Sequence, residues 1–171
     1  MEHRETRVAW LAGGCFWCLE AAYELLPGVL DVSSGYMGGE TENPDYESVC
    51  SGMTGHAETV RIEYDPEKIG YKELLELFWK IHDPTTMDRQ GADVGSQYRS
   101  VIFWADEEQK RIAEDSLREL GGRLEDSVVT RLVSAPRFWP AEDYHQDFFK
   151  KHPFHGYCRA VIAPKLRKAG F

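Results

Sequence analysis

Val8 to Gly13 is a short apolar run closed by Gly13-Gly14, which suits a buried strand, and Phe16 to Leu26 carries helical content up to the break at Pro27-Gly28. Val29 to Tyr36 predicts a second strand with Leu30, Val32, Ser34 and Tyr36 on one face. A glycine-rich loop through Gly38, Gly39, Pro44 and Gly52 follows it. Loops of that length often carry function. His56 to Tyr64 alternates cleanly, with Val60, Ile62 and Tyr64 on one face and Thr59, Arg61 and Glu63 on the other, so a third strand is predicted there. Tyr71, Leu74, Leu75, Phe78 and His82 recur at three- and four-residue steps as one helical stripe that stops before Pro84.

Tyr98 to Trp104 reads as a buried strand. Asp106 with Gln109 resembles a capping box opening a helix whose Ile112, Ala113, Leu117 and Leu120 face inward until Gly121-Gly122. Val128 to Val133 predicts a last strand, and the aromatic-, Pro- and His-rich segment from Ala135 onward predicts an irregular tail that wraps the core and reaches the site. The order β-α-β-β-α-β-α-β mixes crossover helices with sequence-adjacent strands. It predicts an α+β fold in which helices pack on a mixed or antiparallel sheet.

Length and composition narrow this picture. At roughly 150 residues per domain, 171 residues predict a single catalytic domain over 1–171, and no linker or repeat argues for a division. The 42% hydrophobic and 29% charged content is that of a folded chain. A formal net charge of −9 repels phosphate backbones and anionic membranes, so neither nucleic acid nor a membrane is an expected partner. The charged N-terminus MEHRETRVAW lacks the apolar stretch of a secretory signal, so a cytoplasmic location is expected. Four cysteines are too sparse for a disulfide scaffold, and they read as buried thiols, metal ligands or redox groups.

Cys15 stands at the junction of a predicted strand and helix, where unpaired N–H groups and the positive end of the helix dipole favour thiolate over thiol. Gly13-Gly14 before it permits a tight turn and close approach of a substrate. Cys15 is therefore a candidate nucleophile, and this setting outweighs its reading as a small buried hydrophobe. The Cys15/Cys18 spacing also admits a general CxxC thiol–disulfide oxidoreductase or half of a zinc site in an interaction module. Cys50 and Cys158 stand alone, however, and the six histidines show no ligand spacing with the cysteines. No metal is expected.

The segments AGGCFWCLEAAYELLPGV, VSSGYMGG with NPDYESVCSGMTGHAETVRIEYDP, HDPTTMDRQGADVGSQYRSVIF and FWPAEDYHQDFFKKHPFHGYC, in this order, resemble the peptide methionine sulfoxide reductase A family over nearly the whole chain. The resemblance implies a two-layer α+β sandwich with a ferredoxin-like core and the nucleophile at the start of its first helix. It implies reduction of methionine S-sulfoxide, free or in proteins, to methionine. The nucleophile falls on Cys15, the aromatic substrate pocket on Phe16 and Trp17, and the carboxyl that protonates the sulfoxide oxygen on Glu58. Glu58 shares the apolar phase of Val60 and Ile62, and a carboxyl among apolar groups keeps its proton. Tyr36 and Tyr98 match tyrosines that bind the sulfoxide oxygen, and Asp93 matches an aspartate that orders the site.

In the implied cycle Cys15 ends as a sulfenic acid, a second thiol closes a disulfide on it, and thioredoxin or another dithiol reopens that bond, with no cofactor. Cys158, in Gly156-Tyr157-Cys158, matches the family's recycling cysteine and is preferred over Cys18, whose CxxC spacing gives a second route. Cys50 is read as a bystander, and His56 and His145 as structural. The chain departs from the family in its tail: Phe148 stands where some members carry Tyr, and the stretch up to Cys158 is one residue longer.

Overall fold

The structure, a computed structural model, describes residues 5–171. Strand β1 (Arg7–Ala12) leads through Gly13-Gly14 into helix α1 (Phe16–Glu24), and β2 (Val29–Met37) returns to the sheet. The loop after β2 holds a short helix α2 (Tyr46–Cys50) before β3 (Ala57–Tyr64) and α3 (Tyr71–Ile81). A small hairpin of β4 (Arg89–Gln90) and β5 (Asp93–Val94) precedes β6 (Val101–Trp104), α4 (Glu107–Arg123) and β7 (Arg131–Ser134). The tail adds β8 (Trp139–Pro140), α5 (Phe148–Lys151), a π-helical turn at Cys158–Ile162 and α6 (Ala163–Lys168).

The main sheet runs β7-β6-β1-β3-β2-β8, with every neighbouring pair antiparallel except β6 and β7. Its central four strands, in the order β6-β1-β3-β2, are joined by two interleaved β-α-β crossovers through α1 and α3. This is the ferredoxin-like arrangement. The helices α1, α3, α4 and α6 form the second layer. Val60, Ile62 and Tyr64 of β3 pack with Leu19 and Tyr23 of α1 and Leu74, Leu75 and Phe78 of α3 in one buried cluster. Each such fully buried side chain contributes about 1.5–3 kcal/mol. Tyr23 Oη donates to the Leu74 carbonyl at 2.7 Å, tying α1 to α3.

The opposite face of the sheet is not open to water. Ala12, Met37, Ala57, Val101 and Phe103 form a second cluster under Ala135 and Phe138, because the chain after β7 folds back across them.

Several elements differ from the sequence reading for identifiable reasons. Leu30 is 48% exposed, because the β2/β3 register shifts between Val29 and Asp31 and carries it off the inner face. Ser96–Tyr98 forms a 3-10 turn, so β6 starts only at Val101. α4 continues through Gly121-Gly122 to Arg123, and β7 begins at Arg131 once it meets β6 in parallel. The tail, expected to be irregular, folds into short helices. α5 and α6 are too short to be stable alone and are held by burial of Phe148, Ile162 and Leu166.

His82 and His56 are satisfied structural histidines. His82 Nδ1 donates to the Phe78 carbonyl at 2.5 Å while Nε2 accepts from Ser100 Oγ at 2.7 Å, and burial pushes its pKa down to about 4. His56 accepts from Gly39 N–H at 3.0 Å and donates to the Thr41 carbonyl at 2.7 Å, which pins the glycine-rich loop beside β3. A Cβ at Gly39 would collide with the His56 backbone nitrogen and the Thr54 carbonyl oxygen, groups that cannot rotate away. Gly39→Ala is therefore expected to destabilise the fold by about 1–3 kcal/mol, read as a lowered denaturation midpoint. An unchanged midpoint would show that this loop is not held against β3.

Candidate active site

Cys15 is the N-cap residue of α1, in extended conformation, and is 8% exposed. The chain reaches it through Gly14 at φ +91°, where a Cβ would also strike Gln90, so both backbone conformation and space require glycine. The first turn of a helix leaves its N–H groups without intrahelical partners. One of them, Phe16 N–H, donates to Glu58 Oε1 at 3.1 Å. β3 supplies Glu58 opposite Tyr36 of β2, and both side chains are shut off from water at the start of α1. Burial pushes the Glu58 carboxyl up to about 8. The Phe16 N–H pulls it down, and the charges of Asp93 and Cys18 push it further up. At neutral pH this carboxyl therefore carries its proton.

The helix start does not by itself lower the Cys15 thiol, as the sequence suggested it would. Burial pushes it well above the ordinary thiol range, reinforced by its hydrogen bond with Cys18 and the nearby Glu58 carboxyl. Cys18 is displaced the other way, by the hydrogen bond from Cys15 and by the Lys165 ammonium. The Tyr157 hydroxyl lies 3.8 Å from Cys18 Sγ and donates to Asp93 Oδ2 at 2.6 Å, so β5 and the tail meet at this sulfur.

Trp17 is half-buried. Its indole N–H donates to His145 Nδ1 at 3.0 Å, and Phe148 stacks on its face with ring centroids 3.7 Å apart and planes within 4°. Tyr157 meets the indole edge-on at 5.8 Å. Phe16 is fully buried between Tyr36, at 5.7 Å, and His145, at 5.1 Å. Tyr36 Oη donates to Glu142 Oε1 at 2.9 Å, and Glu142 Oε2 accepts from Tyr46 N–H and the Tyr144 hydroxyl. Tyr98, at the end of the 3-10 turn, has its hydroxyl pKa raised by burial and by the Glu58 charge.

Thus Cys15, Phe16, Trp17 and Cys18 share one helix start, Tyr36 and Glu58 sit on adjoining strands beside it, and Asp93 joins through Tyr157. Cys158 is fully buried in the π-helical turn, where the Cys18 charge raises its pKa further than burial alone. Glu142, Tyr157 and Lys165, and the contact of His145 with Trp17, enter the site only in the structure. Glu142 and His145 lie in the FWPAEDYHQ segment and Tyr157 directly precedes Cys158, so position in a resembling segment was the available signal. Among the described residues, Glu20, Glu24 and Asp147 form a cluster of potential metal-ligand atoms, and no cysteine belongs to it.

Residues 7–170 match the family model described as peptide methionine sulfoxide reductase. The chain belongs to the peptide methionine sulfoxide reductase family. It is 55% identical over 161 residues to peptide methionine sulfoxide reductase MsrA 1 of Rhodopirellula baltica, covering 94% of this chain and 84% of that relative. Among solved structures it is similar to reduced Mxr1 from Saccharomyces cerevisiae, with TM-score 0.86 and 32% identity over 92% of this chain and 91% of that one. Methionine sulfoxide reductase A of Corynebacterium diphtheriae aligns with TM-score 0.81 and 35% identity over 92% and 80%. The reductase family and the α+β fold agree. Among the described residues no helix is long and apolar enough to cross a membrane.

The Glu58 carboxyl rises from 4.5 to about 8 on folding, so the folded state holds a proton that the unfolded state releases as pH climbs through that window. Stability should fall with rising pH there. Glu58→Gln keeps an oxygen for the Phe16 N–H and cannot ionise. The variant is expected to gain on the parent chain by a few kcal/mol between pH 5 and pH 9, on the order of 1.4 kcal/mol per pH unit of displacement. Chemical denaturation at both pH values checks this, and parallel pH profiles would place the Glu58 carboxyl in a solvated site.

Proposed function

We propose that this chain reduces the S epimer of methionine sulfoxide, free or in proteins, to methionine, with residues 1–171 acting as one catalytic domain. The observation that carries this reading is the water-excluded Glu58 carboxyl, which receives the Phe16 N–H directly beside Cys15. A sulfoxide oxygen becomes a good leaving group only when protonated. A carboxyl with its pKa near 8 is a proton donor at neutral pH.

Cys15 loses its thiol proton to solvent and attacks the sulfoxide sulfur as thiolate, and Glu58 gives its proton to the oxygen. Methionine departs, Cys15 retains the oxygen as a sulfenic acid, and Glu58 is left ionised. The sulfur of methionine is reduced by two electrons and that of Cys15 oxidised by two. The half-buried Trp17 ring, with Phe148 stacked on one face and Tyr157 against its edge, makes this end of the site aromatic, as a sulfoxide methyl needs. Tyr36, Tyr98 and Asp93 are read as the groups that receive the oxygen and order the site.

A second thiol, Cys18 or Cys158, then condenses with the sulfenic acid, releasing water. A dithiol of the thioredoxin class reopens the disulfide. Yeast Mxr1 has been solved in complex with Trx2, which supports that partner class. The electrons arrive as thiols, so the cycle as written uses no bound metal or nucleotide. All four cysteines are free, which suits a reducing cytoplasm. A general CxxC oxidoreductase would reduce a disulfide substrate and would not need Glu58 beside Cys15.

Turnover of each sulfoxide epimer with dithiothreitol tests the reading: the S epimer alone is expected to react, and equal rates on both epimers would overturn the assignment. Cys15→Ser is expected to abolish turnover with the fold intact, because a hydroxyl is a far poorer nucleophile than a thiolate. Glu58→Gln should slow single-turnover methionine release by roughly 10²- to 10⁴-fold. Release at the parent rate would remove Glu58 from proton donation.

A further inference from the structure

Cys18 lies one turn into α1 and is 2% exposed, yet charged and polar groups from three parts of the chain converge on its sulfur. Lys165 of α6 places Nζ 3.9 Å from Cys18 Sγ. The Tyr157 hydroxyl, from the segment before the π-helical turn, lies 3.8 Å away, and the Cys15 thiol three residues back also favours the charged form of Cys18. Asp93, Glu58 and Cys158 complete the titratable groups that exchange electrostatic influence with this sulfur. Of these groups, only Lys165 is a cation.

That difference decides which group can hold a thiolate here. The Tyr157 hydroxyl has one proton, already donated to Asp93 Oδ2 at 2.6 Å, so its help to Cys18 is shared. Asp93 and Glu58 are acids, and the two other thiols are weak donors. A buried thiolate without a cation is costly, whereas an ammonium about 4 Å away favours the charged form. The Lys165 contact also has a structural basis. The Cys158–Ile162 turn is π-helical and runs directly into α6, so one extra residue sets the phase at which Lys165 leaves the helix.

We propose that Lys165 is a functional residue of the reductase: its ammonium holds Cys18 as a thiolate, and that thiolate resolves the Cys15 sulfenic acid. The proposal rests on the sulfenic acid reading above. Cys18 sulfur attacks Cys15 sulfur, the Cys15 sulfur–oxygen bond breaks, and hydroxide leaves and takes a proton from solvent to become water. The Cys18 electron pair forms the sulfur–sulfur bond, so Cys18 sulfur is formally oxidised by one electron, the sulfenic sulfur is reduced by one, and both end at the disulfide level. Cys158, pushed up by burial and by the Cys18 charge, stays protonated and is the weaker nucleophile. The first closure thus falls to Cys18, where sequence alone preferred Cys158.

The test uses the full-length reduced chain. Thiolate absorbance at 240 nm is titrated with pH, and the component missing from Cys18→Ser is assigned to Cys18. In Lys165→Met that component is expected to move up by about 1–3 pH units, and in Lys165→Arg to stay near the parent midpoint. In a single turnover without reductant, Lys165→Met should release methionine at the parent rate while closing the Cys15–Cys18 disulfide about tenfold more slowly at pH 7. Lys165→Arg should restore closure, which separates a charge effect from lost packing.

An unmoved titration with unchanged closure overturns the proposal, as does a first disulfide from Cys15 to Cys158 in the parent chain. Equal slowing of methionine release and closure would place Lys165 in the first step and also overturns it. Absence of methionine release from the parent chain would instead sink the reductase reading. The 240 nm titration would still report whether Lys165 holds the Cys18 charge.

Discussion

The hydrogen bond from Phe16 N–H to the Glu58 carboxyl joins the two halves of the site. It takes up a donor that the start of α1 must leave unpaired, and it provides a polar partner for a carboxyl from which the fold excludes water. The contact is only possible because β1 delivers Cys15 to the helix start beside β3, with Leu11 facing Val60 in the antiparallel register. Each partner answers the other's burial. Without the N–H, the carboxyl would be an unpaired acid in the core, and without the carboxyl the first turn would bury an orphan donor.

Around that contact the two sides of the site are built from different material. The ferredoxin-like core supplies Cys15, Phe16, Trp17, Tyr36 and Glu58 from elements with long-range sheet pairing and dense packing. The tail supplies Glu142, His145, Phe148, Tyr157 and Lys165 from turns and short helices whose stability comes from their contacts with α1 and β2. Such weakly autonomous segments open at lower free energy than the core they cover.

The sulfur chemistry follows from the same division. Burial alone would keep every thiol here protonated, and it does so for Cys158. Cys18 is shifted the other way, because Cys15 at the start of its own helix and Lys165 from the last helix of the chain both favour its charged form. Cys15 and Cys18 therefore differ in charge preference although they are three residues apart at one helix start.

Hydrophobic periodicity by itself determined most of the core. The alternation of β3, the stripe of α3 and the glycine break before α1 are local patterns. Burial of one face enforces them, and the phase of Glu58 could be read from its apolar neighbours. The likeness of the motif segments supplied the roles expected of Cys15, Trp17 and Tyr36, and the structure brings these residues together. What the sequence left open depends on contacts between residues far apart in the chain. These include the bulge that turns Leu30 outward and the helices of the tail. They also include the pairing of Asp93 with Tyr157, 64 residues away, and of Cys18 with Lys165, 147 residues away. Spacing cannot encode the ionisation of a thiol, because burial and a neighbouring charge act through space, and only the tertiary structure brings those charges to the sulfur.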